Sequence, residues 1–255
     1  MNARTMRAFT SVLAMVEMEL RRLWHDPVEI ATRAVQPVLW VTVFSVVMAH
    51  RVALGVQDYT SFIAPGVVFQ SATFIALGYG IMMVFERESG VLKKLLSSPI
   101  PRANIVIGRA LAGSVRASTQ YIIVLASAAL VGAKFTDNPL LLTAGYFIVI
   151  YVDIGFTAMS ILLASVMKTR ERFMGIIGAI SMPLFFTSNA LYPLKIMPKP
   201  LQAVALFNPL TYAVDALRGL VLYDDLDISM DLLALTIFNV LFLAIAIKEL
   251  SKIIE

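Results

Sequence analysis

Residues 62–85 run from Phe62 to Phe85 without one formal charge. A helix of about 24 residues covers about 36 Å, enough to cross a hydrocarbon core ~30 Å thick. Five further apolar stretches, 27–49, 117–133, 139–167, 173–194 and 228–247, are separated by charge clusters and by Pro and Gly. The chain is 59% hydrophobic and 15% charged, whereas soluble domains carry about 25% charged residues. One aqueous core cannot hide that much apolar surface, so the solvent for this chain is a bilayer. Barrel strands would alternate in polarity over about ten residues, and nothing here does. The expected fold is therefore an all-α integral membrane protein of six transmembrane helices, one domain over 1–255 without repeats or a polar linker.

Charge placement sets the expected topology. With both termini cytoplasmic, inside segments hold 16 of the 21 Lys and Arg residues; Arg51, Lys134, Lys195, Lys199 and Arg218 remain outside. That asymmetry follows the positive-inside rule for a multi-pass protein of the cell membrane. The basic balance of +4 thus reports topology. Its dispersal over separate loops argues against a nucleic-acid partner.

The first 25 residues are not read as a signal peptide, because Glu17, Glu19, Arg21 and Arg22 interrupt any apolar core. Met6, Phe9, Leu13, Val16, Leu20 and Leu23 instead recur every three or four residues, as one face of a helix does. An amphipathic helix over 1–25 in the cytoplasmic interface is expected, a packed helical seam being the alternative. Asp26 and Pro27 then supply an N-cap and a first helical proline, with Glu29 at capping-box spacing.

Catalytic chemistry is hard to place on this chain. Without cysteine there is no disulfide and no thiolate metal site. His25 and His50 would lie about 37 Å apart on one helix, too far to share a metal. No Gly precedes a Lys, which removes a Walker A loop, and neither H-E-x-x-H nor G-x-S-x-G occurs. Asp224, Asp225, Asp227 and Asp231 lack the glycine and closing glutamate of an EF-hand loop and read as a solvated acidic face. The chain is read as a non-enzyme that holds no cofactor or metal of its own.

Two segments carry more than hydropathy. Over 86–101, Val91, Leu92, Leu95 and Leu96 share one side of a short helix between Gly90 and Pro99. A cytoplasmic loop needs such a stripe only if bilayer or a partner protein covers it. Over 195–218, the apolar stretch 201–214 is too short to cross and is broken at Asn208-Pro209, which suits a segment that dips in and returns. Asn208 and Thr211 can satisfy freed backbone groups, Pro209 fits a helix start, and Asp215 and Arg218 are spaced to pair.

These segments carry a resemblance. Glu86-Arg87-Glu88, Gly90, Leu92, Leu95-Leu96, Ser98-Pro99 and Arg102 resemble the coupling-helix segment of type-2 ATP-binding cassette exporter permeases. Val91 and Lys93 depart from it, standing where that family often carries a hydroxyl residue and an acid. Asn189, Tyr192-Pro193 and Asn208-Pro209-Leu210-Thr211-Tyr212, followed by Asp215 and Arg218, resemble the family's short outer re-entrant helices before the last span. The resemblance implies an ATP-driven exporter subunit that moves an amphipathic drug, lipid or lipid-linked molecule. It implies ATPase partner subunits that bind ATP and Mg and dock on Glu86, Arg87, Glu88, Gly90, Leu92, Leu95 and Leu96. It also implies a homodimer, or a heterodimer with a paralogue, among membrane lipids.

One charge stays inside the apolar runs. Asp153 should face protein or water, since on a lipid face it costs about 2.5–3.5 kcal/mol; it is a pathway or coupling residue, a buried hydrogen-bond anchor, or a carboxyl that is simply protonated. Phe69, Phe74, Tyr79 and Phe85 face lipid, protein or cargo. The rival readings are an ion-coupled transporter or channel, for which a single intramembrane charge is scant, and a lipid-modifying enzyme.

Overall fold

The computed structural model describes residues 3–49, 58–97, 100–167 and 169–252. Of the segment 86–101, the elbow that follows the charge-free run, residues 98 and 99 and the side chains of Lys93 and Leu96 fall outside that description, as do the side chains of Met6 and Phe9. Among the described residues every regular element is helical. Helices α1 (Ala3–His25) and α2 (Pro27–Leu39) meet at Asp26, whose carboxylate accepts from the Glu29 backbone N–H at 3.0 Å. Pro37 lacks an N–H for the regular helical ladder, and α2 continues as a π-turn, Trp40–Phe44, before α3 (Ser45–Ala49).

Helix α4 (Tyr59–Gly78) is capped by Asp58 and buried on nearly every side. Its sequence is apolar all round, which is what a central membrane helix requires. It bends at Tyr79-Gly80 into α5 (Ile81–Glu88), and after Ser89-Gly90 the short α6 (Val91–Leu96) follows. Gly90 sits at φ +74°, where a side chain would be strained.

Helices α7 (Arg102–Leu130) and α8 (Pro139–Val166) form an antiparallel hairpin beside α4. The Tyr121 hydroxyl donates to the Leu142 carbonyl at 2.7 Å, and a Cβ on Gly113 would come within 2.5 Å of Thr157. Helix α9 (Arg170–Thr187) lies on α4 and is much more exposed. Beyond it come a 3₁₀ turn, Leu194–Ile196, then α10 (Lys199–Phe207) and α11 (Pro209–Leu222). The last helix, α12 (Ser229–Lys252), packs along α8, where the Asn239 amide donates to the Tyr151 carbonyl at 2.8 Å.

Four segments are long and apolar enough to cross a bilayer unaided: Pro27–Met48, Tyr59–Glu88, Pro139–Val166 and Ser229–Leu250. Of the six expected spans, the remaining two correspond to α7 and α9, with boundaries that hydropathy misplaces. The stretch 117–133 is the second half of a helix that begins at Arg102; its first half carries Arg109 and Arg116, which depress hydropathy. The stretch 173–194 overruns a helix that stops at Thr187. Helix α1 packs on the bundle by one edge. Glu19 and Leu23 are buried while Leu13 and Leu20 are half exposed. Gly108 of α7 brings Val12 and Met15 close, a Cβ there lying 2.5 Å from the Met15 sulfur.

Candidate functional site

At the end of the bundle where α5 meets α6, the elbow is tied to three helices. The Arg87 guanidinium donates to the Met167 carbonyl at 3.0 Å and to the Ser165 carbonyl, at the C-terminus of α8 where the helix dipole favours a cation. Glu86 pairs with Arg109 of α7. Glu88 accepts from Arg170 of α9 at 2.6 Å, and that guanidinium lies 3.8 Å from the Phe85 ring centroid. The expected apolar stripe is divided: Leu92 is 1% exposed and belongs to this chain's own core, Leu95 is partly buried, and Val91 is 50% exposed. Leu92 therefore offers no surface to a partner, because the helix turns it inward once Gly90 has redirected the chain.

Above the elbow lies a charge network that the residue spacing did not announce. Arg116 of α7 reaches Glu19 of α1 at 2.8 Å and Glu29 of α2. Glu29 also holds Arg33 at 2.7 Å, so the reciprocal half of the expected capping box is given up to ion pairing. The Tyr79 hydroxyl donates to Glu19 at 3.4 Å. Arg116 and Glu19 are almost fully buried. Such charges persist in a low-dielectric interior only when paired. The detectable signal was Glu19 itself, flanked by Val16 and Leu23 on the packed side of α1.

This network borders a cavity of about 650 Å³ between α2, α4, α5 and α9. Phe74, Tyr79 and Phe85 line it; Phe69 lies in the core, fully buried.

The opposite end contains a second cluster. Asn208 caps α11 by accepting from the Leu210 N–H at 2.9 Å, and its amide donates to the Leu184 carbonyl at 2.6 Å and to Thr187. It thereby closes the end of α9 onto the start of α11, which is how a chain interrupted at Asn208-Pro209 satisfies its backbone. Thr211 does not help: among the described residues its buried hydroxyl has no hydrogen-bond partner. The Tyr192 and Tyr212 hydroxyls donate to the Phe186 and Leu206 carbonyls at 2.6 and 2.7 Å, and Pro193 leads into the 3₁₀ turn.

Arg218 is buried above the Phe62 ring, 3.8 Å from its centroid. It donates to the Phe62 and Asn189 carbonyls at 3.2 Å each and faces Asp215 at 3.5 Å. Asn189 donates its amide to the same carboxylate. Burial pushes the Asp215 carboxyl up, and the Arg218 guanidinium and Asn189 pull it back. The expected Asp215–Arg218 proximity is thus present, with Asn189 added to it.

Asp153 is fully buried in α8, and neither carboxylate oxygen has a protein hydrogen-bond partner. Thr157, one turn along, is likewise unpartnered. Thr73 of α4 comes to about the same level, because Ser160 bridges α8 to α4 by donating to the Leu77 carbonyl and accepting from Gly80 N–H. Among the described residues, then, no protein group is seen to accept from or donate to Asp153.

A polytopic helical bundle with a chamber at one end, a broken helix pair at the other and a buried carboxyl between them defines a membrane transport permease. The chain belongs to the ABC-2 type transporter family, whose sequence pattern it matches over residues 10–222. It is 28% identical over 233 residues to the putative transport permease ycf38 of Cyanophora paradoxa, covering 90% of this chain and 80% of the relative. It is 30% identical to ycf38 of Porphyra purpurea, covering 80% and 72%. It is 24% identical to the probable doxorubicin resistance ABC transporter permease protein DrrC of Mycobacterium tuberculosis, covering 78% and 72%.

Proposed function

We propose that this permease is the membrane subunit of an ATP-driven exporter of amphipathic molecules, with ATP and Mg bound by separate ATPase subunits. The observation that carries this reading is the elbow, whose Glu86, Arg87 and Glu88 each grip a different helix. A push on α6 is delivered at once to α7, α8 and α9, as a coupling segment requires. The relatives named for doxorubicin and daunorubicin resistance support an amphipathic cargo. In this reading α7 and α9 complete six spans, both termini are cytoplasmic, and two copies, or one copy and a paralogue, enclose the pathway. Asp153, fully buried within one copy and without a hydrogen-bond partner among the described residues, acts as a coupling residue inside the bundle and does not line the pathway between copies.

Capture of an ATPase subunit tests the elbow. Val91→Asp places a charge on the exposed side of α6 and should abolish co-purification of the ATPase while membrane-inserted protein stays at wild-type levels. Leu92→Ser should instead lower the inserted protein, since it removes a buried anchor worth about 1.5–3 kcal/mol. Wild-type capture by Val91→Asp would reject the coupling assignment. Asp153→Asn should insert normally and lose transport with ATPase capture intact; unchanged transport would reject the coupling role of Asp153.

A further inference from the structure

The charges around the chamber do not balance. Arg22, Arg33 and Arg116 reach its wall, and Glu29 enters it as the shared partner of the last two. Arg116 is also matched by Glu19, so two guanidiniums are met by two carboxylates. Glu86, also at the wall, is taken by Arg109. Arg22 is left over. Among the described residues its side chain meets only the Met82 sulfur, at 3.8 Å, and no carboxylate lies within ion-pair distance. Arg116 adds a donor of its own: its side chain is 6% exposed, and its Nε has no partner. Beyond this charged rim the wall turns apolar, with Phe74, Ile75, Met82, Phe85 and Ile177. A volume of about 650 Å³ fits the range of small-molecule sites.

We propose that this chamber selects amphipaths bearing one negative charge, with Arg22 and Arg33 taking the anionic head and the Phe74–Phe85 wall taking the apolar body. The proposal rests on the transport reading above and adds the sign of the cargo's charge. Glu29 makes the exchange feasible. When a ligand anion takes Arg33, Glu29 remains on Arg116, so no buried charge is left bare. A cationic amphipath would meet the unmatched Arg22 and is disfavoured. The head could belong to an anionic lipid or to a soluble acidic amphipath, which present the same chemistry here.

The test is equilibrium binding to the purified full-length permease in a neutral detergent without ATPase, so that its outcome is independent of ATPase capture. Radiolabelled 14-carbon lysophosphatidylglycerol should bind at least about tenfold tighter than lysophosphatidylcholine of the same chain length. Arg22→Gln should erase that preference and Arg22→Lys restore it. Arg21→Gln, whose charge pairs with Glu17 at the exposed surface, should leave it intact. Unlabelled taurocholate, an acidic amphipath that is not a lipid, serves as competitor: competition supports the proposal with a soluble acidic amphipath as the source, the charge preference without competition supports it with an anionic lipid as the source, and absence of both overturns it. Equal binding of the two lysolipids, equal losses in Arg21→Gln and Arg22→Gln, or equally effective competition by glycerol 3-phosphate would also overturn it. Thermal unfolding of each variant confirms that it is folded. Arg22 is exposed at the end of α1, so its replacement leaves the core untouched. ATPase capture that fails while the charge preference persists would count against the exporter reading alone.

Discussion

At the scale of residues, the charges that matter are those that hydropathy treats as interruptions. Arg116→Gln strands the Glu19 carboxylate in the interior, and removing one partner of a buried pair costs about 3–5 kcal/mol. Thermal unfolding in detergent should therefore show a large drop. The Glu19→Gln/Arg116→Gln double variant should lose less than the Arg116→Gln single, the signature of a coupled pair. Asp153→Asn should match or exceed wild-type thermal stability, because both carboxylate oxygens lack protein partners and an amide is cheaper to bury than a charge. How much of this was legible differs by residue. The Asp26 cap, the Asn208 break and the Asp215–Arg218 spacing are local rules and stand in the sequence. The pairing of Glu19 and Glu29 with Arg116 joins helices 97 and 87 residues apart, a distance no periodicity reports.

At the scale of elements, close approach is set by small residues. A Cβ on Gly66 of α4 would stand 2.8 Å from the Ala190 backbone carbon, just where the chain turns back after α9. Gly66→Ala should cost about 1–3 kcal/mol through forced displacement of that turn. Gly178 of α9 has nothing within 4 Å of the same construction, so Gly178→Ala should be neutral or add up to about 1 kcal/mol of helix stability. The contrast, read by thermal unfolding, separates the packing role of glycine from its flexibility. Helix existence was legible from apolar runs and from proline, but their ends were not always. Hydropathy started α7 at the residue after Arg116, although the pairing of that arginine lets the helix begin at Arg102. It also carried α9 through Ser188–Tyr192, whose backbone turns back because Asn189 and Asn208 fasten it to α11.

At the scale of the whole molecule, the absence of cysteine makes topology directly measurable. Single cysteines at Asp58, Asp137 and Asp225 should react with an impermeant maleimide in intact cells, and one at Arg170 only after permeabilisation. Outside labelling at Arg170 would overturn the six-span arrangement with cytoplasmic termini. The network on Arg116 also bears on how the protein is made. Glu19 and Glu29 leave the ribosome long before Arg116, and at about 5–20 residues per second their partner follows about 4–19 s later. During that interval Glu29 has Arg33 on its own helix, and Glu19 has only Arg22 three residues on, with which it forms no ion pair in the folded chain. The first helix should therefore stay at the membrane surface, where water solvates Glu19, until α7 arrives with Arg116, which would make the order of synthesis part of how this bundle assembles.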